Sequence, residues 1–283
     1  MAAASVAGSI GQAGAITGNY VTDNEHPYVG LAVFETADGF SHRCSGSLLT
    51  PTVFLTAGHC TDDALGLVKA RVYFQQDAGA QYDPDTEQDP HTGYPDTCDP
   101  DPDHCREATL MYDFGYEDGA PLPNIHDVGI VILDEPYNAG EFGVLASAGW
   151  LDDLATARGK KETQFSYSGY GLSYSGPKKT ISFRSRLMAT SKLTNLRSHL
   201  TDGYNLQTNG NGSTNGGTCG GDSGGPVFYG GTSSNLIVAV TSFGLNEWCR
   251  GTDFEYRVDR QAVIDWILDK AGSEASEIQF ATP

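Results

Sequence analysis

From about Ile16 onward, short apolar runs alternate with clusters of Gly, Asn, Asp and Ser. The runs Pro51 to Ala57, Val128 to Leu133 and Leu236 to Val240 are short and rich in β-branched residues. Bounded runs of this length predict strands rather than helices, and no stretch before Asp259 holds a sustained helical period. The pattern therefore predicts an all-β core. One helix candidate follows, Asp259 to Lys270, in which Asp259 is placed to cap and Val263, Ile264, Trp266, Ile267 and Leu268 give an apolar stripe. Residues 272–283 carry no such pattern and are expected to fray.

The chain has 283 residues, enough for one large domain or two tightly packed halves. Residues 1–15 are small-residue-rich, without the basic and apolar segments of a signal peptide, and are expected to be an extension or propeptide. Residues 77–123 interrupt the strand pattern with Asp-Pro and Pro-x-Pro elements and two close cysteines, Cys98 and Cys105, able to staple a surface excursion; this stretch is expected to be an insertion. Ten of the 36 acidic residues lie between Asp77 and Glu107, against one base, Arg106. The alternating Asp83, Asp85, Glu87 and Asp89 offer calcium ligands, but EF-hand spacing is missing, so a solvated acidic loop is the plainer expectation. The Asn/Gly-rich tract 209–218 is a flexible loop by composition.

A formal net charge of −19 with only 17 Lys and Arg argues against nucleic acid as a partner. No apolar run approaches a membrane span. Six cysteines without a C-x-x-C pair point to disulfides, and so to a secreted protein, rather than to a zinc or redox site.

Three segments carry chemistry. Gly221-Asp222-Ser223-Gly224-Gly225-Pro226 sets a serine in a glycine turn whose Gly221 and Ser223 N–H groups are free to converge as an oxyanion hole. Leu55-Thr56-Ala57-Gly58-His59-Cys60 ends a strand on a histidine. His126-Asp127-Val128 puts a carboxylate at the mouth of a buried strand, where an imidazole N–H would satisfy it. No histidine follows Ser223, which excludes the α/β-hydrolase order, and a subtilisin-like order would need Asp23 or Asp38 and leave Asp127 idle. His126, beside Asp127, should face the other way and be exposed or structural. His26, His42, His91, His104 and His199 sit in no comparable context.

Together the three segments resemble the trypsin/chymotrypsin family, in its secreted bacterial type, whose triad runs in the order His, Asp, Ser. The resemblance extends to Cys44-Ser45-Gly46-Ser47-Leu48-Leu49 and to Ser242-Phe243-Gly244, and covers about residues 16–270. It implies two packed six-stranded antiparallel β-barrels with a C-terminal α-helix: barrel 1 about 16–145, barrel 2 about 146–258 and the helix 259–271. It implies a serine endopeptidase with His59, Asp127 and Ser223 as its triad, a protein or peptide substrate paired along Ser242, Phe243 and Gly244, no metal or organic cofactor, and a monomer. It pairs Cys44 with Cys60 and Cys219 with Cys249, leaving Cys98 for Cys105.

Two departures bear on function. Family trypsins carry an aspartate six residues before the serine, where this chain has Gly217; Asp253, on the far wall, stands near another pocket-facing position and could take over binding of Arg or Lys, with Glu255 the candidate if the register slips by a residue. Ile16-Thr17-Gly18-Asn19 resembles the family's mature start, which implies a zymogen: cleavage after Ala15 would free an ammonium to pair with Asp222. The competing class is a catalytically inactive protease-fold binding module using the acidic insertion as its surface.

Overall fold

The computed structural model describes residues 16–39, 41–83, 93–99, 101–156, 163–211 and 213–282. Seven strands form a first sheet in the order Cys105–Ala108, Leu67–Tyr73, Val29–Thr36, Ser41–Leu48, Val53–Thr56, Gly129–Ile132 and Leu110–Asp113. A nine-stranded second sheet runs Pro226–Tyr229, Gln164–Gly169, Leu187–Asn195, Asn205–Asn209, Thr252–Arg257, Leu236–Gly244, Val144–Ala146 and Phe280–Ala281, with Tyr20–Thr22 added beside Leu187–Asn195. Pro226–Tyr229 also pairs with Leu236–Gly244 and so closes this sheet into a barrel, which leaves no free edge there. The closed ring, Pro226–Tyr229 round to Leu236–Gly244, has the six expected strands, with Val144–Ala146, Phe280–Ala281 and Tyr20–Thr22 flanking it, while the first sheet holds seven.

The expected apolar runs fall on strands. Val53–Thr56 is buried along its length, and Gly129–Ile132 pairs with it in antiparallel register, Thr56 opposite Gly129. A strand buried on both faces loses its polar alternation, which is why these runs read as continuous. Close approach of strands also demands glycine at Gly46, where a Cβ would stand 2.4 Å from both Leu55 O and the Phe54 ring.

Three expectations change. Within 77–123, Cys105–Ala108 and Leu110–Asp113 are strands of the first barrel, so this stretch is not wholly an insertion. The proposed calcium ligands Asp85, Glu87 and Asp89 lie outside the described residues, as do His91 and residues 1–15. Asp259 does not cap the helix: it accepts the Leu151 N–H at 2.8 Å and two Arg257 donors at 2.8 and 2.7 Å, because charge-assisted bonds hold it in the core. The helix spans Gln261–Ala271 with Arg260 at its N-cap, and buries Val263, Ile264, Ile267 and Ala271. Finally, residues 272–281 are ordered rather than frayed. Phe280–Ala281 pairs in parallel with Val144–Ala146, and Glu274 accepts from the Thr50 and Thr52 hydroxyls, so hydrogen bonds tie this end to both barrels.

Candidate active site

His59 lies in the single 3-10 turn Gly58–Cys60 that ends the strand Val53–Thr56, and the Cys44–Cys60 disulfide ties this turn to the strand Ser41–Leu48. Asp127 stands two residues before Gly129–Ile132, the neighbouring strand, so strand pairing alone brings the imidazole and the carboxylate together. Asp127 is 1% exposed. It accepts the His59 backbone N–H at 2.8 Å, His59 Nδ1 at 2.9 and 3.0 Å, and the Ser242 hydroxyl. Burial raises the Asp127 pKa, but the charge of His59 and the bonds from His59 and Ser242 outweigh it and hold the group below the ordinary carboxylate value. An ionised carboxylate only accepts, so Nδ1 carries the proton and Nε2 keeps its lone pair. Burial lowers the His59 pKa, yet the Asp127 charge and hydrogen bond, with Asp62 further off, hold it above the ordinary imidazole value.

Ser223 sits in a turn that only glycine permits. Gly224 has φ 78°, and a Cβ there would fall 2.1 Å from Thr56 Oγ1 and 2.5 Å from Ala57 N. The Gly224 N–H donates to Thr241 O at 2.8 Å, and the Ser45 N–H donates to Ser223 O at 2.8 Å. These two bonds fix the serine between the barrels. Ser223 opens into a recess of about 270 Å³ shared with Thr218, Ser242, Phe243 and Gly244. His59 and Asp127 line an adjoining recess of about 390 Å³ with Tyr116, Leu122, Ser242 and Phe243. Ser242 and Phe243 belong to both, so the three sequence-predicted residues meet at one cleft. The Cys98–Cys105 disulfide leads into the first-sheet strand Cys105–Ala108, Cys219–Cys249 ties the segment before Asp222 to the chain after Leu236–Gly244, and all six cysteines are paired.

The family model for trypsin matches residues 15–104 and 115–267. The chain belongs to the trypsin family. It is 30% identical over 134 residues to the CLIP domain-containing serine protease B10 of Anopheles gambiae, 45% of this chain and 34% of that protein. It is 29% identical over 168 residues to trypsin zeta of Drosophila erecta, 58% of this chain and 50% of that protein. The matches thus span a third to a half of those relatives' lengths. Both relatives are insect proteins, so the expected bacterial type is not borne out. Among solved structures, the protease Anisep from Arthrobacter nicotinovorans superposes with a TM-score of 0.60 at 16% identity, covering 90% of this chain and all of that one. HL collagenase gives 0.58 at 18% identity, with 88% of this chain and 98% of that chain covered, and human heparin binding protein 0.57 at 22%, with 89% and 94%. At these identities the likeness is one of fold.

In this trypsin-family chain, Gly217 pairs with Thr17 and lies against Asp253. Asp253, 3% exposed, accepts the Thr218 N–H at 3.0 Å, and burial pushes its pKa up to about 7 against that bond. Glu255 is fully buried and accepts the Thr208 hydroxyl at 2.9 Å. Asp222 is also fully buried. It accepts the N–H groups of Gly171 at 2.8 Å and Cys219 at 2.9 Å, and burial pushes its pKa up to about 7 despite these donors and the Arg43 charge. Ile16 is fully buried within the second-barrel core, with φ 64°.

His126 also has a positive φ of 54° and bonds to Asn124 and Gly115 O, away from Asp127. His26, His42 and His104 are bonded to Asp23, Cys60 O and Asp101, respectively. Sequence reasoning passed over Ser45. Its hydroxyl donates to Gly221 O at 2.8 Å and accepts the Tyr170 N–H at 2.9 Å, so it links the glycine turn around Ser223 to the second barrel. The same is true of Gly171, where a Cβ would stand 2.5 Å from the Asp222 carboxylate. Ser45 lies inside the motif Cys44-Ser45-Gly46-Ser47-Leu48-Leu49, a local signal; Gly171 has none.

Proposed function

We propose that this chain is a serine endopeptidase acting through an acyl-enzyme. Ser223 attacks the scissile carbonyl, His59 Nε2 takes its proton and returns it to the leaving amine, and Asp127 holds the imidazole tautomer. The N–H groups of Gly221 and Ser223 receive the oxyanion. The observation that carries this reading is the sealed Asp127 carboxylate, bonded by His59 Nδ1 and N–H and by Ser242. A purely structural histidine at a strand end needs no such partner. Water attack on the acyl-enzyme, with His59 again as base, completes turnover, and no metal or organic cofactor enters.

The substrate is a protein or peptide whose acyl half runs along Ser242 to Gly244 as an added strand. A cationic P1 side chain, Arg or Lys, would meet the Asp253 carboxylate behind Gly217. Activation by cleavage after Ala15 would place an ammonium at Ile16; the buried Asp222, held by two N–H groups and by no ion pair among the described residues, is a carboxylate in want of such a cation. Three disulfides support export to an oxidising compartment, and no described helix is long and apolar enough to cross a membrane. We take the chain to act as a monomer. The binding-module reading is the alternative. Hydrolysis of peptide amides by the purified chain, before and after removal of residues 1–15, tests both steps: cleavage only after removal supports them, and no cleavage in either form rejects the enzyme.

A further inference from the structure

The loop that follows the strand Leu236–Gly244 is a wall between two recesses. Asn246 and Glu247 line the recess that holds Ser223, while Trp248, Arg250 and Gly251 line a second recess of about 290 Å³ on the far side. Three ties hold the wall in place: the Cys219–Cys249 disulfide, the Ser175 hydroxyl donating to Glu247 O at 2.8 Å, and the Asn246 side chain. Asn246 Oδ1 accepts the N–H groups of Trp248 at 3.1 Å and Arg250 at 3.3 Å, and its Nδ2 donates to Arg250 O. Asn246 is thus engaged within the loop. The Glu247 side chain is exposed and, among the described residues, its carboxylate has neither a hydrogen bond nor an ion pair. Arg250, the one base of this loop, lines the second recess instead, its guanidinium 5.9 Å from the centre of the Tyr174 ring. The wall sorts its charges, acid toward the serine and base away from it.

The geometry of an extended substrate decides which of its residues meets Glu247. An acyl half added along Ser242 to Gly244 sends successive side chains to opposite faces and returns to the same face every second residue, about 7 Å further on. The side chain next to the scissile bond (P1) enters the Ser223 recess, and the one before it turns toward the adjoining recess of His59 and Tyr116. The third (P3) therefore comes back to the Ser223 side. It lies one repeat beyond P1, at the Gly244 end of the strand, where the chain turns into the wall. Among the described residues that line this recess, Glu247 is the one with a charged side chain. We propose that Glu247 is a specificity-determining residue that selects Arg or Lys at P3. The inference rests on the serine endopeptidase reading and requires no particular residue at P1.

The test is a set of peptide amides identical but for Arg, Gln or Glu at P3 or at P4, made in one series with Arg and one with Phe at P1, and cleaved by the natural chain, Glu247→Gln and Glu247→Lys. At low ionic strength Arg should exceed Gln at P3 by about three- to fivefold in kcat/KM, the scale of one exposed ion pair, with Glu below Gln. The difference should lie mainly in KM and close at about 1 M salt, where screening is nearly complete. P4 is on the opposite face and should discriminate less. In Glu247→Gln the P3 ratio should fall to about one, and in Glu247→Lys it should invert toward Glu. The Gln peptide should keep its rate in Glu247→Gln, because the Glu247 carboxylate forms no bond with His59, Asp127 or Ser223. Equal rates for Arg and Gln in the natural chain, an unchanged ratio in Glu247→Gln, or an equal preference at P4 overturns the proposal. If no peptide is cleaved, the endopeptidase reading has failed. Anisotropy of labelled Arg and Gln peptides on the Ser223→Ala protein then decides the subsite alone, equal affinity refuting it.

Discussion

The Asp253 carboxylate occupies the space that a side chain at Gly217 would need: a Cβ built on Gly217 would lie 2.6 Å from Asp253 Oδ2. The two positions are therefore alternatives, and a chain with a carboxylate at one must have a very small residue at the other. Gly244 completes the slot, its own Cβ position being 3.4 Å from Asp253 Oδ1.

Asp253→Asn should lower kcat/KM for Arg and Lys at P1 on the order of a hundredfold, the scale for removing one partner of a buried charge pair, and leave Phe substrates little changed. Because burial pushes Asp253 up to about 7, the Arg-to-Phe ratio of kcat/KM should also rise between pH 6 and 8. The titration of His59 affects both substrates alike and cancels in that ratio. Paired peptide amides measured across this range check both outcomes; a flat ratio, or a preference for Phe throughout, contradicts a cation-binding pocket.

Stability should fall as pH rises through neutrality. Burial raises Asp222 and Asp253 to about 7 and Glu255 above its ordinary value, so the folded chain keeps protons that the unfolded chain releases above about 4. Their contribution is fully present below the unfolded carboxylate pKa and lost as pH passes the folded one. Asp23 and Asp127 have lowered pKa values and act in the opposite sense, losing their contribution only in stronger acid. Thermal melts of Ser223→Ala, which cannot digest itself, should thus give a lower Tm at pH 8 than at pH 5. Asp253→Asn should flatten that slope, and a Tm that climbs from pH 5 to 8 would count against neutral buried acids.

The acid limb of activity should lie above the ordinary imidazole range, because the charge and hydrogen bond of Asp127 raise the His59 pKa against burial. Ser242→Ala removes one donor to Asp127 while keeping the fold around it. A charge-assisted bond of about 1.5 to 3 kcal/mol corresponds to a loss in kcat of roughly ten- to a hundredfold, with KM little moved. A kcat-against-pH profile of both proteins reads this. Unchanged kcat in Ser242→Ala would detach Ser242 from the reaction.

The reading of the chain worked where physics is local. Gly224 sits beside Ser223 in sequence as in space, and Val53–Thr56 and Gly129–Ile132 are buried runs that announce strands. It failed where order comes from distant partners. Leu110–Asp113 is a partly exposed edge strand with no alternation, and Phe280–Ala281 is a two-residue strand, too short for any period. Asp259 had the right chemistry for a cap, but Arg257 and Leu151 N–H claim it first.

The most direct measurement of the central claim is covalent labelling of Ser223 by an organophosphonate. After removal of residues 1–15, the chain should take up one phosphonyl group, with loss of all peptide-amide hydrolysis. Peptide mapping should place the group on Ser223, and Ser223→Ala should neither label nor hydrolyse while melting as a folded protein. His59→Ala should label far more slowly, because the hydroxyl then lacks its base. Phosphonyl-group uptake at another serine, or hydrolysis that persists in Ser223→Ala, would contradict the account.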